Sequence, residues 1–230
     1  MSIKFVHGSS QSMTISAENA VWRNTKIFSI SMWYYPQVKD LNYRIIIDDW
    51  DYAPAWNICF YFQHMNDNTW QCAFSTDGTV PGISSCNFFG AGDWNINTWY
   101  HIFFIADGTN LNCYVDNVFQ NQVGIPANIY AGNDPNWYLA YRQDAAGQYI
   151  SGQILDLRTY NRDLSAAERE IIYEHRGSDN IVNGLVGRYL FNEKESGAVV
   201  TSATDYSISK LNGTPANNPT YTESILKITK

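Results

Sequence analysis

Trp99-Tyr100-His101-Ile102-Phe103-Phe104-Ile105, then Ala106-Asp107-Gly108-Thr109-Asn110, then Asn112-Cys113-Tyr114-Val115-Asp116: two runs of aromatic and β-branched residues flank a short cluster of turn formers. Such side chains suit a pleated, half-buried surface, and Asp-Gly between them suits a tight reversal, so the stretch reads as a β-hairpin. Similar runs occur at 12–15, 28–35, 43–47, 58–62 and 70–74 before it, and at 137–141, 153–158 and 185–191 after it, bounded by Gly, Asn and Asp. Ten short strands with turn signals between them predict an all-β sandwich or barrel. One stretch reads as helix, over 166–175. Ser165 caps it with Glu168 as capping-box partner, and Gly177 stops it in the left-handed conformation. Four-residue spacing puts Ala167, Ile171 and His175 on its packed face, with His175 as a helix-end packing residue, and leaves Arg169, Glu170 and Glu174 toward water.

The hydrophobic share of 45% over 230 residues is enough to bury a core in one domain, or at most two, so disorder is excluded as the main state. Charged residues are only 16%, and amides and hydroxyls take their place on the surface. A net charge of -7 without any Lys/Arg cluster argues against nucleic acid and against anionic membranes as partners. No apolar run is long enough to span a bilayer, and residues 1–10 do not read as a signal peptide. A cytoplasmic chain, or one released or carried on a virion by another route, is expected. Cys59, Cys72, Cys86 and Cys113 lack zinc spacing and read as buried thiols. A hairpin of 57–63 with 69–75 would set Cys59 opposite Cys72, close enough for an optional bridge.

Two blocks near the start, Phe5-Val6-His7-Gly8-Ser9-Ser10-Gln11-Ser12-Met13-Thr14-Ile15 and Phe28-Ser29-Ile30-Ser31-Met32-Trp33-Tyr34-Tyr35-Pro36, resemble the opening of laminin-G-like domains in the concanavalin A-like lectin/glucanase superfamily. Trp99-Tyr100-His101 leading to Cys113-Tyr114-Val115-Asp116-Asn117 looks like that family's paired central strands. Gly152-Gln153-Ile154-Leu155-Asp156-Leu157-Arg158 through Tyr160-Asn161-Arg162-Asp163-Leu164-Ser165 looks like its closing strand and short helix. The resemblance implies a two-sheet antiparallel jelly-roll sandwich over most of 5–177. The segment 184–230, with Gly184-Leu185-Val186-Gly187-Arg188-Tyr189-Leu190-Phe191 at its head, resembles the piece that usually opens such domains. It is therefore expected to be a permuted tail that completes a single domain over 1–230, since 178–230 holds too little apolar surface to fold alone. Chains with such a tail occur among bacterial and phage proteins.

Relatives that cleave β-glucans carry two carboxylates on one strand, as a retaining mechanism requires, and no Glu-x-Asp-x-Glu run occurs here. Glu193 and Glu195 read as a solvated pair, and the four histidines are scattered. A non-catalytic lectin-like domain for a glycan or polysaccharide is thus expected. A structural or adhesion module alongside other subunits of a particle such as a phage virion is the alternative, and a glycan-active hydrolase the weakest. Sugar sites pair an aromatic face with nearby amides and carboxylates. Asp48-Asp49-Trp50-Asp51-Tyr52-Ala53-Pro54-Ala55-Trp56-Asn57 has both, read as a loop in which Trp50, Tyr52 and Trp56 stack and Asp51 accepts from hydroxyls. Asn133-Asp134-Pro135-Asn136-Trp137-Tyr138 is a second candidate, whereas Trp33 and Trp99 are expected in the core. For calcium, the one cofactor considered, Asp205, Ser207 and Asn212 offer oxygens in one loop, with Asp48, Asp49 and Asp51 as a rival cluster whose members alternate faces.

Overall fold

The computed structural model describes residues 1–51, 57–142 and 148–224. In chain order the strands are β1 (Ser2–Phe5), β2 (Ser12–Ser16), β3 (Ile27–Pro36), β4 (Arg44–Asp51), β5 (Asn57–His64), β6 (Trp70–Ser75), β7 (Ile83–Phe89), β8 (Tyr100–Asp107), β9 (Asn110–Val115), β10 (Val118–Gly124), β11 (Asn136–Leu139) and β12 (Gly152–Tyr160). Helix α1 (Ala166–His175) follows, then β13 (Leu185–Tyr189), β14 (Thr214–Ala216) and β15 (Thr220–Thr222). Sheet A has eight strands, ordered β10-β9-β8-β3-β12-β1-β15 with β13 also on β12. Sheet B has seven, ordered β14-β2-β11-β4-β5-β6-β7. The sheets are antiparallel and stack as the jelly-roll sandwich expected from the sequence.

The hairpin expected over 99–116 joins β8 to β9, and its turn shows why. Asp107 accepts hydrogen bonds from the Thr109 and Asn110 amides and from Asn112 Nδ2, while Gly108 takes φ +92°, a value costly for any residue with a Cβ. Strand alternation then sends Ile102, Phe104 and Ala106 into the space between the sheets and Phe103 and Ile105 outward. From sheet B, Phe60, Phe62, Trp70 and Phe88 meet them, with ring pairs such as Phe62–Phe104 at 5.2 Å and Phe88–Phe104 at 5.5 Å near edge-to-face.

Each of the ten predicted strands has a counterpart, and β1, β7, β10, β14 and β15 are additional. Four of those five are the outermost strands of their sheets. An edge strand meets solvent along one side, so β10 (Val118–Gly124) shows no buried position and carries no apolar run to detect. The helix has the predicted capping box, but its stop begins one residue early, with Arg176 already at φ +46°. Its packed face also differs. Ile172 is its buried residue, while Ala167, Ile171 and His175 face outward. Docking is set by Leu164, just before the cap, together with Ile172 and Tyr173, and Arg169 lies over the Tyr114 ring at 4.1 Å instead of reaching for water.

The β5–β6 hairpin forms with Phe60 opposite Phe74 and Phe62 opposite Cys72, so Cys59 does not face Cys72. All four cysteines are free and buried. Register here follows the inner-face aromatics, since a one-residue slip would turn every one of them outward. Trp33 is buried, though under α1 on the outside of sheet A, stacked on Tyr173 at 5.7 Å. Trp99 is only half-buried and precedes β8, against Tyr35. Among the described residues no helix is long and apolar enough to cross a membrane.

The segment after α1 enters both sheets: β13 pairs with β12, β15 with β1, and β14 with β2. It adds Tyr189, Phe191, Val200, Ala203 and Tyr221 to the buried cluster. A chain ended after Gly177 is therefore expected to lose solubility and its cooperative melt, as calorimetry would show; an unchanged melting temperature would contradict this packing.

His64 lies in an aromatic box, stacked on Trp70 at 5.3 Å with Trp94 at 4.8 Å. Burial pushes its pKa down to about 3, and burial likewise holds His101 well below its ordinary value. Both are neutral when folded, whereas the unfolded chain protonates them near pH 6.5. The stability they contribute is complete above that pH and falls as pH drops toward 3, by at most about 1.4 kcal/mol per pH unit for each. Denaturant melts between pH 7 and pH 4 should show His64→Phe with a shallower acid slope than the parent.

Candidate functional site

A sandwich has two outer faces, and here they differ. On sheet A, Phe103, Ile105 and Tyr160 are covered by Leu164, Ile172 and Leu185, with Tyr114, Tyr173 and Ile181 alongside. Beneath this cover Arg158, wholly buried, donates to Asp156, to Asp179 at 2.6 and 2.7 Å, and to the Tyr160 hydroxyl. Burial alone would raise the Asp179 carboxyl, but the hydrogen bonds and charge of Arg158 hold it below the ordinary carboxylate range.

Sheet B presents a different surface. Direct cross-strand pairing lines up Thr214, Thr14, Tyr138, Asp48, Tyr61, Ala73 and Ser85, one residue from each of its seven strands. Their neighbours Met13, Ile47, Phe60, Phe62, Cys72, Phe74 and Cys86 face the core, so alternation turns this row to the outer side of the sheet, where Thr214 and Ser85 at its ends are exposed and Asp48, Tyr61 and Ala73 in its middle are buried. Two residues along, Gln63, Gln71 and Asn87 form a second row. Gln63 Nε2 donates to Gln71 Oε1 at 2.9 Å and Gln71 Nε2 to Asn87 Oδ1 at 2.8 Å. The ladder ends on the exposed Asn87, while Gln63 Oε1 is buried and accepts nothing from the described residues. The Tyr61 hydroxyl donates to Gln71 at 3.4 Å, and burial pushes its pKa up to about 12, so it is a neutral donor at pH 7.

Apolar surface adjoins these amides. Trp50, Ile58, Tyr61 and Ala73 form a separate small cluster with Ile83, and Trp50 stacks on Tyr61 at 5.4 Å. Arg142, four residues beyond Tyr138, lies over the Trp50 ring at 4.0 Å. Tyr138, Tyr141 and Tyr149 make a half-buried strip, with centroids 5.8 Å and 5.2 Å apart, the second pair stacked. The Tyr138 hydroxyl donates to Asp134 at 3.2 Å. Ring faces beside a ladder of amides and hydroxyls can cover the C–H side of a sugar and bond its hydroxyls.

The residues singled out from the sequence fall unevenly on this surface. Trp50 and the Asp51 backbone belong to β4 and not to a loop; Trp50 is 8% exposed, because the strand continues past the two aspartates. Tyr52 and Trp56 lie outside the described residues. Asp48 faces outward, whereas Asp49 faces inward, accepting from Trp22 Nε1 at 2.5 Å and pairing with Arg23, so these two do not converge on one ion. In the second candidate stretch Tyr138 joins the outer row, while Trp137 is wholly buried and bonded to the Ser16 carbonyl. Asp205, Ser207 and Asn212 do come together, but their polar atoms are engaged within the protein. Asp205 accepts from the amides of Arg188, Ser207 and Leu211, from Ser207 Oγ and from Asn19, and its own amide donates to Asn212 Oδ1. N–H donors aimed at the carboxylate do not fit a calcium ion; the cluster locks the tail's turn. Gln63, Gln71, Tyr141 and Tyr149 were missed. For Gln63 and Gln71 the signal was the two-residue period in Phe60-Tyr61-Phe62-Gln63 and Trp70-Gln71-Cys72-Ala73, which separates the face between the sheets from the outer face of sheet B, where both glutamines are nevertheless buried.

Because Trp50 is packed between Tyr61 and Arg142, Trp50→Ala should cost about 3 kcal/mol of stability, well above a surface change. Urea titration of the variant measures it.

A family model described as the concanavalin A-like lectin/glucanases superfamily matches residues 7–168. Comparison with curated proteins finds no relative. Among solved structures, a protein from Bacteroides ovatus described as carbohydrate binding superposes with a TM-score of 0.72 at 12% identity, over 99% of this chain and 61% of its own. This chain thus spans about three fifths of that protein's length. The CBM40 of a Ruminococcus gnavus sialidase superposes at 0.56 with 13% identity, over 73% of this chain and 93% of its own. A SAP-like pentraxin from Limulus polyphemus gives 0.51 at 14%, over 75% and 81%. At such identities the likeness is one of fold. With two antiparallel sheets in jelly-roll order and a family match over most of its length, the chain belongs to the concanavalin A-like lectin/glucanase superfamily.

Proposed function

We propose that this chain is a non-catalytic carbohydrate-binding domain whose sugar-contacting surface is the outer face of sheet B. The observation that carries this reading is the placement on one face of a hydrogen-bonded amide ladder, Gln63–Gln71–Asn87, ending on the exposed Asn87, and the half-buried tyrosine strip Tyr138–Tyr141–Tyr149, on the sheet opposite the one that the α-helix among the described residues covers. The ladder holds its amides at fixed angles, so little freedom is lost when a hydroxyl docks. Gln63 and Gln71 are buried and hold the row in place, and the Asn87 amide supplies a donor at its exposed end. Half-buried tyrosine rings provide flat apolar surface with only two torsions each to fix. The fold likeness to a protein described as carbohydrate binding and to a CBM40 supports the same reading.

In this reading Trp50 supports the surface from within and does not stack on ligand. A glycan array, followed by calorimetric titration with the polysaccharides it identifies, should reveal saturable binding. Tyr141→Ala and Tyr149→Ala should each weaken that binding by about tenfold while leaving the melting temperature close to that of the parent. Saturable binding to no glycan, or unchanged affinity in both variants, would overturn the assignment.

A further inference from the structure

Three cysteines meet in the core beside the β7 edge of sheet B. Cys72 of β6 and Cys86 of β7 are direct cross-strand partners in sheet B, and Cys113 reaches them from β9 of sheet A. Their sulfurs all lie within 4.8 Å of one another, with Cys72 Sγ and Cys113 Sγ 3.3 Å apart. Relative exposures of 0%, 2% and 0% put all three inside the apolar cluster that also holds Phe62, Trp70, Phe88 and Phe104. Cys59, also buried, stands apart, its sulfur beside Gly132 and Arg23.

A single buried cysteine packs as a small hydrophobe. Three that converge from different strands of opposed sheets form a donor set already assembled by the fold. The composition of that set selects its ion. Calcium and magnesium require oxygen, and the cluster offers none. Zinc in a structural site takes four ligands, and among the described residues no histidine, carboxylate or fourth cysteine joins the three. A soft ion content with two or three sulfurs meets both conditions, and thiolates favour Cu(I). We infer that Cys72, Cys86 and Cys113 form an all-sulfur binding site for Cu(I), clamping sheet A to sheet B from inside the core.

No redox step is involved. Two of the thiols release their protons to solvent as Cu(I) binds, and the third donates as a neutral thiol, which limits the site to one negative charge in an apolar setting. Access is short, because β7 is the edge of sheet B and the residues flanking Cys86, Ser85 and Asn87, are exposed. The same edge meets sheet A, where Asn121 of β10 donates to the Asn87 carbonyl at 2.8 Å.

The test is anaerobic titration of the reduced full-length chain with Cu(I) held in a chromophoric competing chelator. The expected result is one ion per chain, an ultraviolet thiolate-to-copper charge-transfer band and a raised melting temperature, since the ion binds only the folded arrangement. Cys86→Ser and Cys113→Ser should each weaken binding by at least about tenfold, while Cys59→Ser retains parental affinity. Should those variants not fold, X-ray absorption of the copper-loaded parent decides, with a first shell of sulfur alone supporting the site. No uptake from the chelator, nitrogen or oxygen in the first shell, equal loss in Cys59→Ser, or displacement of Cu(I) by equimolar Zn(II) would each overturn it.

Discussion

The buried guanidinium of Arg158 is the constraint on which the arrangement of the molecule turns. A charge taken wholly out of water in sheet A is tolerable only if carboxylates meet it, and the pair is weak support for stability by itself because desolvation offsets most of the attraction. What the pairing does supply is position. Asp156 comes from the same strand, but Asp179 lies beyond α1, so the Arg158–Asp179 bonds tie the chain after the helix onto the outside of sheet A. Ser29 adds a second tie, accepting from the Leu164 amide and donating to the Arg162 carbonyl. With the entry and exit of α1 both fixed, Ile172 and Tyr173 close over the sheet's outer apolar residues. One face is thereby removed from solvent.

The tail meets the two sheets at their margins. β13 and β15 extend sheet A and β14 extends sheet B at its margin, so the tail supports the edges, and the one α-helix among the described residues packs on sheet A; in the middle of the outer face of sheet B, Asp48, Tyr61, Gln63, Gln71 and Ala73 are still buried. The Asp205 turn secures that route: five hydrogen bonds end on one carboxylate, joining the tail to Asn19 as well as to its own backbone. A charged acceptor satisfied this fully is worth more as a structural lock than as a ligand. On the outer face of sheet B, Trp50, Tyr61 and Arg142 pack together, and the amide ladder holds side chains that would otherwise sample many rotamers.

The interior between the sheets shows a matching division of labour. Phenylalanine and tryptophan fill its volume and fix the strand register, while its few polar groups are placed where they are either bonded or held neutral. Asp49 meets Trp22 and Arg23, and His64 is kept uncharged by its aromatic box. Sulfur gathers where β6, β7 and β9 approach one another, with Cys72, Cys86 and Cys113 in mutual contact.

How much of this was legible in the chain follows from which forces are local. The Asp107-Gly108 hairpin, the capping box of Ser165 and Glu168, and the interior strands declare themselves because turn geometry, end-capping and a two-sided apolar environment act on neighbouring residues. Edge strands such as Val118–Gly124 stayed hidden, since half of their environment is water and their pairing partner alone makes them strands. The sequence by itself thus determined an all-β sandwich with one capped helix and a face of alternating aromatics turned inward. Tertiary structure alone decided that Trp50 lies in a strand under Arg142, that Ile172 and not Ile171 is the helix's buried contact, and that Cys72 meets Cys86 and Cys113 instead of Cys59. Each depends on register or docking between segments far apart in the chain, where a shift of one residue exchanges inside for outside and no local pattern records which register wins.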